Sequence, residues 1–546
     1  MTFNGGLVGA AFGNQQMTLR NSTFNGCVTA IEQIWSWTWT YSGLSINNCH
    51  TGINMSSGGV SDQAVGSVTI LDSSFTNTPT GIITAYDANS SPVAAGSLIL
   101  ENVELSNVEA AVQGPNGVAL AGGSTTISAW GEGHAYASSG PDQFEAAFTA
   151  STRPSVLTTG GKFYTRSKPQ YEGQPASNFI SARDAGAKGD GQTDDTQALQ
   201  NGIDTAATQN KIFYLDHGNY KVTDTITIPA GSKIVGETYS VILASGEIFS
   251  KIDSPLAVLQ IGKIGNVGSV ELSDFIVATQ GATAGAILIE YNLASPAGTP
   301  SGFWDVHTRI GGFAGSSLQT AECAKNPGSS TINSKCIAAF MSMHVTTASS
   351  GLYMENIWLW TADHDIDDPA LTQIDIYTGR GMLIESSGPV WLYGHAVEHH
   401  SLYQYQFTNA KNIFGGVLQT ETAYYQPNPA APAPYASTEM CDDPVFSGSG
   451  AQGWGLRIVN SSDVLLYGVG LYSFFQDWDN TCSSPKSTTS CQQQIFSLEG
   501  ALSEVNIYNL NTVRTTDMVV RDGKVVAQAK DNANSYSDTI ARLSVS

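Results

Sequence analysis

Two glutamates, Glu398 and Glu421, stand 23 residues apart in the stretch from Val390 to Pro427. Each follows a short apolar run, Val390 to Val397 and Ile413 to Leu418. Aromatic residues crowd both: Trp391, Tyr393, Tyr403, Tyr405, Tyr424 and Tyr425. Carboxyls carry out the proton transfers of glycosidic cleavage, and aromatic rings cover the apolar faces of sugar rings, so the stretch reads as a saccharide site. One coil of a parallel β-solenoid takes on the order of 20–30 residues. A step of 23 would then set both carboxyls on neighbouring coils of one face, with strands about 4.8 Å apart. Two carboxyls held that close do not both ionise easily. One should keep its proton toward neutral pH, as a general acid must. With 47 acidic residues in the chain, an accidental pair of solvated surface glutamates is the competing reading.

The elements that must position such a pair are β-rich. The 546 residues exceed one ordinary domain. Only 13% are charged, 56 are glycine, and long helical patterns are few, which is the composition of a turn-rich all-β chain. Residues 1–160 carry an internal repeat: Phe24, Cys27 and Ile31 match Ile46, Cys49 and Ile53 at a constant offset of 22. Short β-rich runs separated by Asn, Gly or Ser continue after it, which points to a right-handed parallel β-helix and away from a β-sandwich. Residues 161–178 lack period and read as a linker. Next come a Gly/Asp-rich segment, Asp184 to Asp195, and a helix N-capped by Thr193 or Asp194. Its apolar face is Ala198, Leu199, Gly202, Ile203 and Ala206. A capping helix followed by short strands closes the end of a second β-helix over 179–546.

The formal charge of −23 excludes nucleic acid, which needs a basic footprint, and argues against polyanionic sugars. A neutral glycan fits. Cys323 with Cys336, and Cys482 with Cys491, are spaced for local disulfides; Cys27 and Cys49 stack as thiols or bridge; Cys441 has no evident partner. No paired-cysteine metal motif occurs, and no metal or cofactor is expected. With the sequons at Asn21, Asn54, Asn89 and Asn460, the disulfide candidates favour an exported protein. No membrane-spanning run is present. TFNGGLVGAAFGNQQMTLRN, directly after Met1, reads as mid-strand sequence, so Met1 is expected to be internal to a longer chain.

Further residues could meet a sugar. Trp35, Trp37 and Trp39 alternate, which predicts three indoles on one strand face, turned to ligand or to a neighbouring domain, with core packing as the plainer reading. Trp358 and Trp360 alternate in the same way. Asp305 and His307 share a strand phase, with Arg309 available to pair with Asp305. His399 follows Glu398 and could orient it. Asp363 to Asp368 reads as a turn or sugar contact, since the calcium-loop pattern is missing. The Pro/Ala-rich residues 428–445 are expected to border the cleft.

DAGAKGDGQTDDTQAL resembles the leader of the pectate-lyase-like β-helix superfamily. WDVHTRIGG, ENIWLWTADHD and the block from Glu398 to Pro427 resemble glycoside hydrolase family 55, the mostly fungal, secreted exo-β-1,3-glucanases. The resemblance implies two tandem parallel β-helices packed side by side with the site in the cleft between them. It implies hydrolysis of a laminarin-like β-1,3-glucan from the non-reducing end, with inversion, by a monomer. Glu421 is then the general acid and Glu398 helps hold the water, assisted by Gln16 and by Ser36 or Thr40. Sugar contacts fall to Trp358, Trp360, Tyr424, Asp305, His307, Trp37 and His399. The family's leader motif appears here once instead of twice, which implies a first helix short of its opening coils. A pectin lyase or polygalacturonase is the alternative on the same fold, though its GHG motif is missing. A non-catalytic glucan-binding β-helix is the other.

Overall fold

The computed structural model describes residues 1–137, 140–485, 487 and 489–545. Parallel ladders run through it as a β-helix. Phe24 lies opposite Ile46 and Ile31 opposite Ile53, so the offset of 22 is one coil. The next coils are longer, with Ile46, Phe75 and Leu105 in one column and Ile53, Ile82 and Val112 in another. Strand β1 (Gln16–Arg20) pairs with β2 (Thr38–Ser42), and Leu19, Tyr41, Ile70 and Leu100 form a third column. These columns make one buried cluster. Asn48, Asn77 and Asn107 turn successive coils at positive φ, which asparagine tolerates better than most residues. Their side-chain amides bond one another at 3.0 Å, forming an exposed asparagine ladder along the turns.

The second stack opens with α1 (Thr196–Thr208), which buries Leu199, Gly202, Ile203 and Ala206 against the first strands after it. The N-cap is Asp195, one residue beyond the two that the sequence suggested. The Asp195 carboxylate turns back to the amides of Lys188 and Gly189 (2.6 and 2.8 Å), while Asp194 accepts from the Thr196 amide at 3.0 Å. Six strands then pair in parallel succession: β3 (Ser301–Ile310), β4 (Leu352–Thr361), β5 (Val390–Glu398), β6 (Lys411–Glu421), β7 (Ser462–Tyr472) and β8 (Ser503–Val513). A second sheet closes the coils from the other side and includes Tyr403–Thr408, Trp454–Val459, Phe496–Glu499 and Thr515–Arg521.

Every strand from β3 to β8 carries a residue in the left-handed region at one shared register, besides Asn412, Asp463 and Glu504 near the starts of β6, β7 and β8. The residues in register are Asp305, Asn356, Gly394, Val417, Gly468 and Asn509, with φ of 53, 55, 64, 61, 80 and 51°. The column bends each strand in two. The first halves send Trp304, Tyr353, Trp391, Tyr393, Phe414, Tyr467 and Tyr508 into a shared aromatic cluster with Leu71 and Ile99 of the first stack and Phe163. The second halves bear Trp358, Trp360, Glu398 and Glu421.

Polar contacts lock the two stacks together. Arg153 bridges Asp72 (2.6 Å) and Glu101 (2.7 Å), and the Tyr467 hydroxyl donates to Glu101. Asn509 donates to the Val68 carbonyl at 3.0 Å. The segment read as a linker, 161–178, is wedged in the same seam, where the Tyr164 carbonyl accepts from the Tyr393 hydroxyl (3.1 Å); just before it the Leu157 carbonyl accepts from the Trp391 indole (3.0 Å). The last strand, Asp538–Val545, pairs with β8 and with Ala135 and Tyr136, touching both stacks.

The alternating tryptophans do not share a face. One strand ends at Trp35 and β2 begins at Thr38, so a coil corner interrupts the alternation. Trp39 enters the first core, Trp35 is 39% exposed, and Trp37 meets Tyr472 edge-on (5.0 Å) and stacks on Tyr536 (5.1 Å). Disulfides join Cys323 to Cys336 and Cys482 to Cys491; Cys27, Cys49 and Cys441 are buried free thiols.

A Cβ on Gly468 would sit 2.8 Å from Thr40 Oγ1 and 3.1 Å from Thr38 Oγ1, at φ +80°. Gly468→Ala should therefore destabilise the protein by about 2 kcal/mol or more, through backbone strain and a wedge between the stacks. Urea unfolding monitored by tryptophan fluorescence measures it; an unchanged midpoint would contradict the packed seam.

Candidate active site

The ends of β3 to β8 form a ladder across the stack: Arg309, Trp360, Glu398, Glu421, Tyr472 and Val513 lie opposite one another in turn. The step of 23 is thus one coil, and the two glutamates are directly paired positions on adjacent strands. Strand alternation turns both carboxyls outward while Val397 and Thr420 face inward and are buried. After Glu398 the chain turns at His399 (φ 69°), whose amide bonds the Glu421 carbonyl at 2.8 Å. This turn folds the imidazole back over the floor. The result is a cavity of about 360 Å³ lined by Trp358, Trp360, Glu398, Glu421, His399 and Tyr424, and rimmed by Arg309, Asp363, His364 and Ile366.

Each carboxyl is held by its own donors. The Trp358 indole donates to Glu398 Oε2 at 2.9 Å. Glu421 accepts from the Tyr424 hydroxyl on Oε2 and from Gln419 on Oε1 at 3.3 Å. Burial, with the Glu421 carboxylate beside it, pushes Glu398 up to about 7. The pair therefore carries a proton up to neutral pH, as the close spacing implied. His399 Nδ1 lies 2.8 Å from the Thr361 carbonyl, so it bears a hydrogen, and Nε2 lies 3.6 Å from Glu421 Oε2. Burial alone would lower this imidazole. The carboxylates of Glu421, Asp363 and Glu398 outweigh it and raise His399 to about 9. The site thus holds a buried imidazolium among carboxyls. Burial and the Glu421 charge raise Tyr424 well above the ordinary phenol value, so its hydroxyl remains a donor.

Of the twelve residues that the sequence singled out, six line the cavity: Trp358, Trp360, Glu398, His399, Glu421 and Tyr424. Trp358 is 40% exposed and stacks at 5.0 Å on the buried Trp360, giving an aromatic wall. Gln16 comes from the first stack to the border of the site without lining the cavity: its Oε1 accepts from the Tyr472 hydroxyl at 3.1 Å, next to Glu421 on the ladder. Ser36 and Thr40 are buried outside the cavity lining; the Thr40 hydroxyl donates to the Tyr467 carbonyl (3.0 Å) and serves the seam. Trp37 likewise packs beneath Tyr472. Asp305 is bound by Lys168 at 2.7 Å and accepts from Asn356, so it pairs with the segment between the stacks and not with Arg309. Arg309 lies over the Phe313 ring at 4.1 Å. His307 Nδ1 accepts the Trp358 backbone amide at 3.1 Å and supports that tryptophan from below. Residues 428–445 line no part of this cavity. Their Arg380–Asp443 pair and the Tyr435 bond to the Tyr377 carbonyl (3.1 Å) anchor them on the opposite sheet.

Sequence reasoning missed Tyr472 and Gln419. Gln419 is two residues before Glu421 and on its face, a signal that was available. Tyr472 follows Glu421 on the ladder only after 51 residues, so no coil period reveals it.

Similarity to known proteins agrees with this geometry. A family model described as rhamnogalacturonase A/epimerase, pectate lyase-like, matches residues 1–54 and 179–254. A glucan 1,3-β-glucosidase of Cochliobolus carbonum is 48% identical over 550 residues, covering 100% of this chain and 69% of its own length. The chain belongs to glycoside hydrolase family 55. Within that family, a probable glucan endo-1,3-β-glucosidase of Arthroderma benhamiae is 40% identical, covering 99% of the chain and 72% of its own length. The solved structure of sacteLam55A from Streptomyces sp. SirexAA-E aligns with 98% of the chain and 91% of its own at 13% identity and a TM-score of 0.39. This family-55 protein is a glycoside hydrolase with a pectate-lyase-like parallel β-fold.

The raised His399 has a consequence for stability. Its contribution is fully present below the ordinary value of 6.5 and is lost as pH rises through about 9. Thermal stability of the protein, read from its melting temperature, should fall across that window, by on the order of 3 kcal/mol. In His399→Gln this limb should flatten, leaving the loss that Glu398 produces between its ordinary 4.5 and about 7. An unaltered limb in the variant would contradict a buried imidazolium.

Proposed function

We propose that the protein is an exo-acting, inverting hydrolase of β-1,3-glucan that releases glucose from the non-reducing end. The observation that carries this reading is the Glu398–Glu421 pair at the floor of a small, partly open, aromatic-walled pocket. At about 360 Å³ it is sized for the end of a chain, whereas an endo-acting enzyme needs a long groove. The relatives named as acting on 1,3-β-glucan supply the linkage. The lining carries one arginine, already seated on Phe313, beside several carboxyls, so an anionic pectin would be repelled.

In this reading Glu421 protonates the departing glycosidic oxygen as its bond to the anomeric carbon breaks. Water adds from the opposite face, and its proton passes to Glu398. Gln16, at the border of the site, helps hold that water. Trp358 and Trp360 stack on the terminal sugar. The two disulfides fit a protein exported to an oxidising compartment. One feature favours exchanged roles: burial and the neighbouring Glu421 carboxylate push Glu398 up to about 7, which suits it to hold the proton of the pair.

Laminarin hydrolysis followed by proton NMR should show α-glucose first; β-glucose first would overturn inversion. Glu421→Gln should lower laminarin hydrolysis about a thousandfold. It should spare most of the rate on 2,4-dinitrophenyl β-glucoside, whose leaving group needs no acid. Glu398→Gln should cripple both reactions. The reverse pattern would assign the acid to Glu398.

The alkaline side of kcat/KM on laminarin should fall through an apparent pKa of about 7, because the pair loses its remaining proton there. A rate undiminished at pH 9 would contradict a protonated carboxyl in the reaction.

A further inference from the structure

A larger cavity lies elsewhere. It measures about 860 Å³ and opens on the second sheet, away from the strands that carry Glu398 and Glu421. Its floor is built by alternation. Leu456, Ile458 and Leu498 point into the core, while Arg457, Ser497, Glu499 and Val520 face outward on three successive strands. One wall is aromatic: Trp454 and Phe446, both partly exposed, meet at 5.4 Å. The facing wall is a run of amides, Gln492, Gln493 and Gln494.

The chemistry of the lining selects its ligand. Arg457 is the cation among the lining residues, and both its forks are engaged: Glu499 holds Nε and Nη2 at 2.9 and 2.6 Å, and the Gln406 side chain accepts from Nη1 at 3.0 Å. With Asp442, Glu499 and Asp522 around it, the cavity has no free positive charge for an anion. Gln452 Nε2 and Gln492 Oε1, on side chains more than nine-tenths buried, have no hydrogen-bond partner among the described residues. One is a donor and the other an acceptor. Neither atom is itself open to the cavity, but the amides and hydroxyls that border it, among them Gln493, Gln494, Ser447 and Ser497, suit a ligand that both gives and accepts hydrogen bonds. A neutral, hydroxyl-rich molecule with an apolar face for Trp454 meets each requirement, and the volume falls within the usual 300–1,000 Å³ of ligand sites.

We propose that this cavity is a second saccharide site that binds an internal segment of the same β-1,3-glucan, resting on the functional reading above. A polymer held there and by its end in the catalytic pocket is bound at two points, which raises its effective concentration without new chemistry. Short substrates cannot span the two sheets and gain nothing.

Calorimetric titration of the Glu421→Gln protein with a laminarin heptasaccharide tests it, beside laminarin hydrolysis by the unmodified protein. Two equivalents should bind. Adding Trp454→Ala should remove one of them or weaken it about tenfold, which is the loss of one stacking contact of about 1.4 kcal/mol. Gln493→Ala, at an exposed position that cannot disturb the core, should weaken the same equivalent. In otherwise unmodified protein, Trp454→Ala should raise KM for long laminarin severalfold while kcat/KM on laminaribiose stays unchanged. A single equivalent indifferent to both substitutions, with hydrolysis intact, would overturn the second site and leave the catalytic reading standing. Absence of laminarin hydrolysis by the unmodified protein would overturn the catalytic reading itself.

Discussion

The column of left-handed residues through β3 to β8 is the constraint on which the rest depends. A straight strand would present one outward face along its length. The bend gives each strand two, one packed against the first stack and one open to the pocket. Asp, Asn and Gly occupy most positions because they tolerate positive φ. Val417 does not, being β-branched at φ 61°, and sits four residues before Glu421. Strain of that kind costs of order 1–3 kcal/mol and persists where the surroundings over-determine it. Here the aromatic cluster on one side and the seam contacts of Thr40 with Tyr467 on the other leave the chain no alternative path.

The same bend explains the electrostatics. It sinks the carboxyls beneath Trp358 and Tyr424, where desolvation disfavours charge. Coulomb repulsion between directly opposed strand positions then acts with little screening. The His399 turn supplies the compensating cation from the backbone position next to Glu398. The protein thus stores one proton in the pair and one positive charge against it. Neither could persist at an exposed ion pair, which solvent screens to a fraction of this strength.

Much of this was legible in the sequence, for identifiable reasons. The offset of 22 in the first stack and the step of 23 between the glutamates are true coil lengths, so pattern and register coincide there. Legibility failed where coils change length or turn corners. Trp37 and Trp39 alternate in sequence, yet the break at Ser36 and Trp37 sends one to the seam and the other to the core. Thr40 and Asp305 carry groups suited to a site, but nearer partners in the seam claim them first. Tyr472 lies beyond a long loop, and only the pairing of β6 with β7 brings it beside Glu421. The segment at 161–178 looks unstructured by pattern because it is anchored by single contacts that follow no period: Arg166 and Tyr171 to Glu271, Lys168 to Asp274 and Asp305, and the Tyr164 carbonyl to Tyr393.

Successive positions on the catalytic ladder are separated by 51, 38, 23, 51 and 41 residues, yet they meet in strict register. The strand bends hold the floor, and the variable lengths are absorbed by excursions that leave from the coil corners. Rim and floor are therefore mechanically separable. A natural relative or an engineer could exchange the excursion between two rungs, reshaping which branches and chain lengths enter, while the proton-handling pair beneath keeps its geometry.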